Sequence, residues 1–370
     1  MASRTEIQSI LDRFIARGIV GACLTVVPRD GEHLVFCAGL ADRAQKVPVR
    51  PDHLFKIGSC TKPFVAATLL SLAQEGAVAL DAPVSRWFPK LPNGDRITAR
   101  DLIAHTSGLP EFEYDLPMDW SRQWTPQALV DFAFSVRTPT EPGVKPMYSN
   151  TGYVLAGMLI EALSGATLAS QIRKRVLMPL RLRNTFAAAG EPFPAERLVR
   201  GYYHRPPPAA GTENRAVGEG GEMWRTSGTL GYSEELQDST QSFPYSAAYA
   251  AGDIVATSED LATFLRAAVT GRLLSPELTA EMVDRRRPGG VEAPATRMRE
   301  AGAGVWAMHY AGRTVFGHQG SMPGYVTVML HDRAHDLTAA LTTNTGSGNR
   351  LSFYASGLHE VMDVVLTAIA

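Results

Sequence analysis

The chain has 370 residues, of which 45% are hydrophobic, 20% are charged and 8% are aromatic. Lysine and arginine, 36 together, nearly balance aspartate and glutamate, 37 together, and leave a formal net charge of -1. This composition supports a hydrophobic core and excludes a disordered chain, and the neutral charge without a basic block excludes generic nucleic-acid or anionic-membrane binding. At about 150 residues per domain, the length predicts two domains.

Apolar periodicity, capping residues and breakers predict the order of helices and strands along the chain. In chain order, the predicted elements are a helix over 7–15, strands over 22–27 and 34–38, a helix over 64–74, helices starting after Thr98 and after Thr125, a helix over 154–163, helices over 258–269 and from Pro276, strands over 304–310, 314–316, 325–330 and 337–343, and a final helix over 351–369.

The order of these elements also predicts how the chain divides into domains. Strands at both ends with helices between them predict an α/β domain of residues 1–75 and 250–370, into which a mostly helical domain of residues 76–249 is inserted. Residues 204–245, which begin with three consecutive prolines at 206–208, predict a long loop of the kind that forms lids, binding sites or linkers.

Cysteine, histidine and N-terminal patterns limit the covalent chemistry and the compartment. Cys23, Cys37 and Cys60 form no C-x-x-C pair and their number is odd, so we expect neither a disulfide framework nor a thiolate zinc site. No sequence motif indicates a metal site or a cofactor site. The N-terminus lacks an apolar block of signal-peptide length, and no segment approaches the roughly 20 apolar residues that span a bilayer. We therefore expect a cytoplasmic protein that acts on a small molecule and binds neither nucleic acid nor membrane, while its oligomeric state stays open.

The segment Ser59-Cys60-Thr61-Lys62 lies at the predicted start of the helix over 64–74. A serine and a lysine three residues apart at a helix start place a hydroxyl and an amine on one face, one turn apart. A serine hydroxyl is a poor nucleophile until a base takes its proton, and a desolvated lysine can act as that base. S-x-x-K alone is a weak signal, but its position at a helix start favours a nucleophile, because the amide N–H of Ser59 can help to hold an oxyanion.

Two further segments carry residues suited to proton transfer and substrate contact. In Tyr148-Ser149-Asn150, a tyrosine near a lysine ammonium can shuttle a proton, and Asn150 offers both a donor and an acceptor to an amide substrate. In His318-Gln319-Gly320-Ser321, Gly320 permits close backbone approach to a ligand, and His318 can polarise a substrate or relay a proton. Taken alone, the first segment is better explained as a turn with an N-cap and the second as a turn.

Taken together, the three motifs resemble the serine β-lactamase and penicillin-binding superfamily. S-x-x-K, then Y-x-N about 90 residues later and H-x-G after a long gap, is the order of the class C β-lactamase and D,D-carboxypeptidase branch. Similar stretches cover nearly the whole chain, among them 54–58, 102–109, 148–164 and 317–325. Within the branch the closest similarity is to the D-amino acid amidases, although Ser321 stands where those enzymes have glutamine and the 204–245 loop matches poorly.

The resemblance implies a fold and a reaction. The fold is α/β (α+β), with an antiparallel sheet that is flanked by helices, built from both termini and interrupted by the inserted helical domain. In the reaction, Ser59 attacks a carbonyl and forms an acyl-enzyme, and Lys62 is the general base. Tyr148 protonates the leaving nitrogen and later activates water.

The resemblance also implies roles for residues around this centre. The backbone N–H groups of Ser59 and Ser321 would form the oxyanion hole, and Gly320 would leave room for the substrate on the strand edge. Asn150 would hold either the substrate amide or the lysine. His318 would support the tyrosine side of the network.

Glu113 is the candidate anchor for the ammonium of a free amino acid amide, because a charged amine is expected to meet a carboxylate. The stretch Pro110-Glu111-Phe112-Glu113 is similar to one in the D-amino acid amidases. The alternative is that Glu111, Glu113 and Asp115 form a solvated acidic loop, since surface carboxylates usually have no partner.

The leading hypothesis is therefore a serine amidohydrolase that releases ammonia from D-amino acid amides. Alternatives within the superfamily are an esterase or acyltransferase, a D,D-peptidase or D-aminopeptidase, and a weak β-lactamase. A further alternative is a binding or sensor protein that acylates without turnover. The neutral charge fits a small-molecule substrate, and the N-terminus without a leader argues against cell-wall chemistry.

Overall fold

A computed structural model describes residues 4–29, 32–112, 122–144, 146–204, 236–288, 297–347 and 358–369. The strands are β1 (Gly21–Val27), β2 (Leu34–Asp42), β3 (Val47–Pro48), β4 (Phe55–Lys56), β5 (Thr185–Ala187), β6 (Tyr202–His204), β7 (Leu236–Asp238), β8 (Ile254–Ala256), β9 (Arg287–Pro288), β10 (Met298–Ala301), β11 (Trp306–Tyr310), β12 (Arg313–Met322), β13 (Tyr325–Asp332), β14 (Leu337–Thr343) and β15 (Thr345–Ser347).

The helices lie partly at the chain ends and largely between β4 and β14. They are α1 (Arg4–Ala16), α2 (Lys62–Gln74), α3 (Ala99–Ile103), α4 (Pro126–Val136), α5 (Asn150–Ser164), α6 (Leu168–Ile172), α7 (Tyr245–Ala248), α8 (Ser258–Val269), α9 (Pro276–Val283) and α10 (Leu358–Ile369). A π-helical turn, Arg173–Leu177, follows α6, and 3-10 turns lie at Gly58–Thr61, Val84–Arg86, Ala195–Arg197 and Tyr249–Ala251.

The two ends of the chain build one large sheet. Within the described residues, nine strands follow the order β3-β2-β1-β14-β13-β12-β11-β10-β9, and neighbouring strands are antiparallel. The N-terminal and C-terminal parts meet where β1 pairs with β14, with Leu24 opposite Leu341. The predicted antiparallel sheet built from both termini is therefore confirmed, whereas the division into domains of residues 1–75 with 250–370 and of residues 76–249 stays a prediction.

Both faces of the central strands are covered by helices. Every residue of β1 is buried, although successive side chains point to opposite faces of a strand. Leu24 and Val26 pack in an apolar cluster with side chains of α1 and α10. On the opposite face, Thr25 Oγ1 lies 2.8 Å from the Oγ of Ser258 at the start of α8. Burial of each such leucine or valine stabilises the fold by about 1.5–3 kcal/mol, so the packing of this sheet contributes strongly to the stability of the protein.

The predicted helix boundaries at Thr98, Thr125 and Gly165 agree with the structure, whereas α5 begins at Asn150, after the cap Ser149, and not at the predicted residue 154. Thr98 forms a capping box at the start of α3, and Thr125 caps α4, whose first residue is Pro126. Helix α5 ends at Gly165, which has a φ of +66°, a left-handed conformation that glycine adopts without a steric penalty. Helix α2 is almost entirely buried, and the stacked rings of Phe64 and Phe264, 3.5 Å apart, join it to α8.

The structure differs from the predicted elements in strand β12. The predicted strand over 314–316 extends from Arg313 to Met322, so His318 to Ser321 lie within β12 and do not form a turn. Gly320 lies opposite Thr327 of β13 in the same ladder. Glycine and polar residues weaken the sequence signal of a strand, but the pairing continues because β13 supplies partners for them. The short strands β4, β8 and β5 form a separate small sheet. Each of them has only two or three residues, so no sequence pattern predicts them.

Two features relate to the expected compartment. Cys23 and Cys37 lie directly opposite each other on β1 and β2 with their Sγ atoms 2.9 Å apart, and all three cysteines are free thiols. The odd number of cysteines gave no indication of this pair. Among the described residues no single helix is long and apolar enough to cross a membrane, and one bent pair, α5 with Leu168–Leu177, meets the criteria of length and composition only.

Candidate active site

The turn that carries Ser59 runs directly into α2. Gly58–Thr61 form one turn of 3-10 helix and Lys62 is the first residue of α2, so the serine and the lysine are one turn apart. Pro63 lies in the first turn of α2, where its missing N–H removes no helical hydrogen bond. Gly58 has a φ of +53°, and a Cβ there would lie 2.7 Å from the carbonyl oxygen of Ser321. The turn therefore needs glycine in order to approach β12.

The Oγ atom of Ser59 lies between two groups that can transfer protons. Lys62 Nζ donates to it over 3.0 Å, and the Tyr148 hydroxyl donates to it over 2.6 Å. Both distances permit direct proton transfer. Ser59 lies in the turn before α2 and Lys62 at the start of α2, whereas Tyr148 lies in the segment that precedes α5. The structure thus brings the three side chains together from two different segments.

Lys62 is completely buried and its ammonium group has a full set of acceptors. Besides Ser59 Oγ, Nζ donates to Asn150 Oδ1 over 2.6 Å and to the carbonyl oxygen of Ala251 over 2.8 Å. The ring of Tyr148 lies 4.8 Å from Nζ and adds a cation–π contact. A buried charge is costly unless it is paired in this way, so the acceptors hold Lys62 in one position beside Ser59.

Asn150, the first residue of α5, connects Lys62 to a buried carboxylate. Its Oδ1 accepts from Lys62, while its Nδ2 donates to Glu111 Oε1 over 3.1 Å. The backbone N–H of Asn150 also donates to Glu111. Glu111 is only 8% exposed, so the alternative of a solvated acidic loop is wrong for this residue. Of the two contacts considered for Asn150, the structure shows the one with the lysine.

His105 holds the segment on both sides of Tyr148. The two rings are stacked with centroids 4.7 Å apart. The carbonyl oxygen of His105 accepts from Met147 N over 2.7 Å, and its Nδ1 accepts from Ser149 N over 3.1 Å. Burial, together with the nearby charge of Lys62, lowers the pKa of His105 well below its usual value, so the ring is neutral and Nδ1 can accept.

Strand β12 passes close to the Ser59 turn because Gly320 has no side chain. A Cβ at this position would lie 1.9 Å from the carbonyl oxygen of Ile57 and 3.0 Å from the amide nitrogen of Cys60. Ser321, the next residue, lines the same cleft as Ser59. An oxyanion hole formed by the N–H groups of Ser59 and Ser321 requires this proximity, and that role stays a prediction.

His318 is completely buried in β12. Its Nδ1 lies 2.5 Å from the carbonyl oxygen of Gln319, and because a carbonyl only accepts, Nδ1 carries the proton. Burial, with a contribution from Lys62, lowers the pKa of His318 to about 3, so the ring is neutral at neutral pH. Its ring centroid lies 6.3 Å from that of Tyr148. The histidine therefore packs near the tyrosine, and its predicted support of Tyr148 stays a prediction.

An open cleft of about 320 Å³ lies in front of Ser59. Its walls include the apolar side chains of Phe112, Phe243, Ala247, Ala248 and Met322, and none of the lining residues that the structure describes carries a formal charge. Glu113 lies outside the described residues, as do residues 205–235 of the predicted loop. In the part of the chain that the structure describes, no group of three or more His, Cys, Asp or Glu side chains is arranged to hold a metal ion.

Three contributions to this site escaped the sequence analysis. His105 lies in the stretch 102–109 that carries the resemblance, but nothing in that stretch indicates contacts to a tyrosine 43 residues later. Glu111 is one of several acidic residues in its segment, and only its neighbour Phe112 hints at burial. The carbonyl of Ala251 has no sequence signal at all, because every residue carries one.

The chain is similar to known proteins in sequence and in fold. The family model described as Beta-lactamase matches residues 7–359. Among solved structures, the D-amino acid amidase from Ochrobactrum anthropi SV3 complexed with L-phenylalanine amide is 39% identical, with a TM-score of 0.87 over 99% of this chain and 97% of that chain.

Curated relatives match over shorter stretches. Esterase EstB from Burkholderia gladioli is 34% identical over 217 residues, which are 52% of this chain and 52% of that protein. A penicillin-binding protein from Bacillus subtilis (strain 168) is 32% identical over 167 residues, which are 44% of this chain and 37% of that protein. The chain thus spans about half, or less, of the length of these two relatives.

Proposed function

This chain belongs to the beta-lactamase family and has the serine-hydrolase fold of that family, and from this premise we propose that it hydrolyses D-amino acid amides to D-amino acids and ammonia. The observation that carries the proposal is the position of Ser59 Oγ, 3.0 Å from Lys62 Nζ and 2.6 Å from Tyr148 Oη at the base of a cleft. The similarity to the D-amino acid amidase over nearly the whole of both chains supports the choice of substrate class.

Acylation uses the neutral amine of Lys62, which forms when the ammonium group loses the proton directed at Ser59. A neutral amine has two N–H donors and one lone pair. With Asn150 Oδ1 and the carbonyl of Ala251 accepting the two N–H groups, the lone pair is directed at the Oγ–H of Ser59. Lys62 takes this proton as the Oγ–C bond forms, and the carbonyl oxygen becomes an oxyanion that the N–H groups of Ser59 and Ser321 stabilise.

Collapse of this intermediate breaks the C–N bond. Tyr148 donates its proton to the leaving nitrogen, and ammonia departs. In the second half of the reaction a water molecule attacks the acyl carbon and gives a proton to Tyr148. The acid leaves, and Ser59 regains its proton from Lys62, which returns Lys62 to the neutral amine that starts the next cycle.

The walls of the cleft favour an apolar substrate side chain. Phe112, Phe243 and Met322 offer apolar surface, and none of the described lining residues carries a formal charge that would pair with a charged side chain. We therefore expect D-phenylalanine amide to be a better substrate than the amide of D-aspartate or D-lysine. Glu113, as the anchor for the substrate ammonium, is part of this proposal.

A panel of substrates tests the proposal. We expect turnover of D-phenylalanine amide well above that of the L-enantiomer, and no turnover of either by Ser59→Ala. Glu113→Gln should raise KM for an amino amide and remove the preference for a free amine. Turnover of p-nitrophenyl esters alone, with neither amide hydrolysed, would overturn the amidase proposal.

The similarity to Esterase EstB favours an esterase or acyltransferase as the second candidate. Short p-nitrophenyl esters and an alcohol acceptor test this reading, while a D-Ala-D-Ala peptide and a chromogenic cephalosporin test the peptidase and β-lactamase readings. An acyl adduct on Ser59 that persists for hours in mass spectrometry would instead support an acyl-binding protein without turnover.

A further inference from the structure

Glu111 lies at the end of a line of contacts that leads to the nucleophile. Its carboxylate accepts from both the backbone N–H and the Nδ2 of Asn150, the Oδ1 of Asn150 accepts from Lys62, and Lys62 contacts Ser59. Glu111 is 8% exposed, Asn150 is 4% exposed and Lys62 is completely buried, so solvent does not substitute for these partners.

The orientation of the Asn150 amide decides which way the Lys62 amine faces. An amide has a donor end and an acceptor end of nearly equal size, and its orientation is set by its hydrogen-bond partners. A carboxylate only accepts, so Glu111 selects the orientation in which Nδ2 faces Glu111 and Oδ1 faces Lys62. In the reversed orientation Nδ2 would donate to the Lys62 amine, and the lone pair of the amine would turn away from Ser59.

The site of Glu111 also suits a negative charge. Asn150 is the first residue of the 15-residue helix α5, and its backbone N–H is one of the helical donors that have no partner within the helix. A carboxylate at a helix N-terminus is stabilised by the helix dipole and by these N–H groups. The charge of Glu111 is therefore compatible with its burial.

We propose that Glu111 is a positioning residue: its carboxylate fixes the Asn150 amide so that Oδ1 faces Lys62 and the amine faces Ser59. This inference rests on the proposed acyl-transfer role of Ser59 and Lys62, and it is independent of the substrate. Glu111 does not touch the reacting atoms and acts through Asn150.

Glu111→Gln is the first test, because it replaces one acceptor oxygen by a donor of the same size. The glutamine can accept the backbone N–H of Asn150 only with its NH₂ group directed at the Asn150 side chain, which then reverses. We expect kcat to fall about 10²-fold with KM little changed, as when a catalytic group is displaced by about 1 Å. Glu161→Gln is the matched control: Glu161 lies on α5, the helix that begins at Asn150, and accepts from Leu168 N over 2.8 Å, so activity should be retained.

The double variant Glu111→Gln with Asn150→Asp is the decisive test. Here the glutamine NH₂ donates to one oxygen of the aspartate, the other oxygen accepts from Lys62, and the charge has moved from position 111 to position 150. We expect at least tenfold recovery of kcat over Glu111→Gln. Because a carboxylate beside Lys62 favours the ammonium form, the rise of kcat/KM with pH should shift to higher pH than in the native protein.

Three outcomes decide the inference. An active Glu111→Gln, or a double variant no better than the single variant although both are folded by circular dichroism, overturns it. Recovery of kcat together with the shifted pH profile supports it. Mass spectrometry can also measure the rate at which a fluorophosphonate labels Ser59 in the same variants. This comparison needs no assumption about the substrate, so failure of the amidase proposal leaves the test intact.

Discussion

The hydroxyl of Tyr148 and the amine of Lys62 contact Ser59 Oγ from different segments of the chain. The two groups differ in what holds them. Three acceptors fix Lys62, whereas Tyr148 is fixed by the stacked ring of His105 and by the backbone contacts of His105 on either side. Tyr148 therefore keeps its position when its hydroxyl is removed, which allows its chemical contribution to be measured separately from its packing.

Tyr148→Phe should reduce kcat by about 10²–10⁴-fold, the range expected when a positioned proton-transfer group is lost. The ring contact with His105 and the cation–π contact with Lys62 remain, so the melting temperature should change little. Tyr153→Phe is the control: its ring lies 5.5 Å from Lys62 Nζ, but its hydroxyl donates to Ile103 O. We expect this variant to lose about 1 kcal/mol of stability and to retain activity. Equal activity losses in steady-state kinetics would contradict a proton-transfer role for Tyr148.

The residues that sequence analysis found and those that it missed differ in how they act. Ser59, Lys62 and Tyr148 carry functional groups at characteristic spacings, so a motif can identify them. Glu111 and His105 act through hydrogen bonds to other protein groups, and such partners depend on which segments the fold brings together. Side-chain type alone does not contain that information.

At the scale of elements, the site depends on the close approach of the Ser59 turn to β12. Gly58 lies in the turn and Gly320 in β12, and a Cβ at either position would lie within 3 Å of backbone atoms of the other element. Because backbone atoms on a paired strand cannot move aside independently, an added methyl group would separate the two elements.

Gly320→Ala should therefore lower activity by more than its loss of stability explains. Its Cβ would lie 1.9 Å from Ile57 O, which forces β12 away from Ser59 and widens the predicted oxyanion hole. We expect kcat to fall about 10²-fold or more, comparable to the loss of an oxyanion donor. Gly312→Ala is the control, because Gly312 has a φ of +72° but open space around it, so it should lose about 1–2 kcal/mol of stability while activity is retained. Normal kcat for a folded Gly320→Ala protein would rule out this role of the contact.

The sequence predicted elements well where local chemistry marks their ends and poorly where pairing decides them. The helices capped at Thr98 and Thr125, and the helix that ends at Gly165, have local signals that hydrogen-bond geometry explains. Strand β12 was predicted too short because residues 317–321 have a weak strand pattern, and only the ladder with β13 makes them extended. The same residues belong to the site, where close packing required glycine in place of strand-forming residues.

At the scale of the whole molecule, buried ionisable groups link stability to pH. Burial lowers the pKa of His318 to about 3 and that of His331 to about 4, and it lowers the pKa of His105 well below its usual value. Each of these histidines binds a proton in the unfolded chain below about pH 6.5 but stays neutral in the folded protein. Burial has the opposite effect on stability at Asp253, whose pKa rises to about 7, and at Asp260, whose pKa is also raised.

The sign of the net effect follows from counting protons between about pH 6.5 and pH 4. Over this range the unfolded chain binds up to four more protons at the histidines, because burial also lowers the pKa of His53, whereas the folded protein keeps at most two more at the aspartates. The unfolded state therefore binds more protons in total, and stability should fall as the pH is lowered. Each net proton changes the free energy of unfolding by about 1.4 kcal/mol per pH unit.

Replacement of one histidine outside the site should reduce this dependence by one proton. In His331→Gln the amide can keep the contact that Nδ1 makes with Thr338 Oγ1 over 2.8 Å, but it cannot bind a proton in the unfolded chain. When urea unfolding is measured between pH 6 and pH 4.5, the free energy of unfolding should change with pH less steeply than in the native protein. The difference in this pH slope should be up to about 1.4 kcal/mol per pH unit. His309→Gln is the control, because the exposed His309 contacts solvent in both states and its loss should leave the slope unchanged. An unchanged slope in His331→Gln, or an equal change in both variants, would show that the buried histidines do not set the acid stability of this fold.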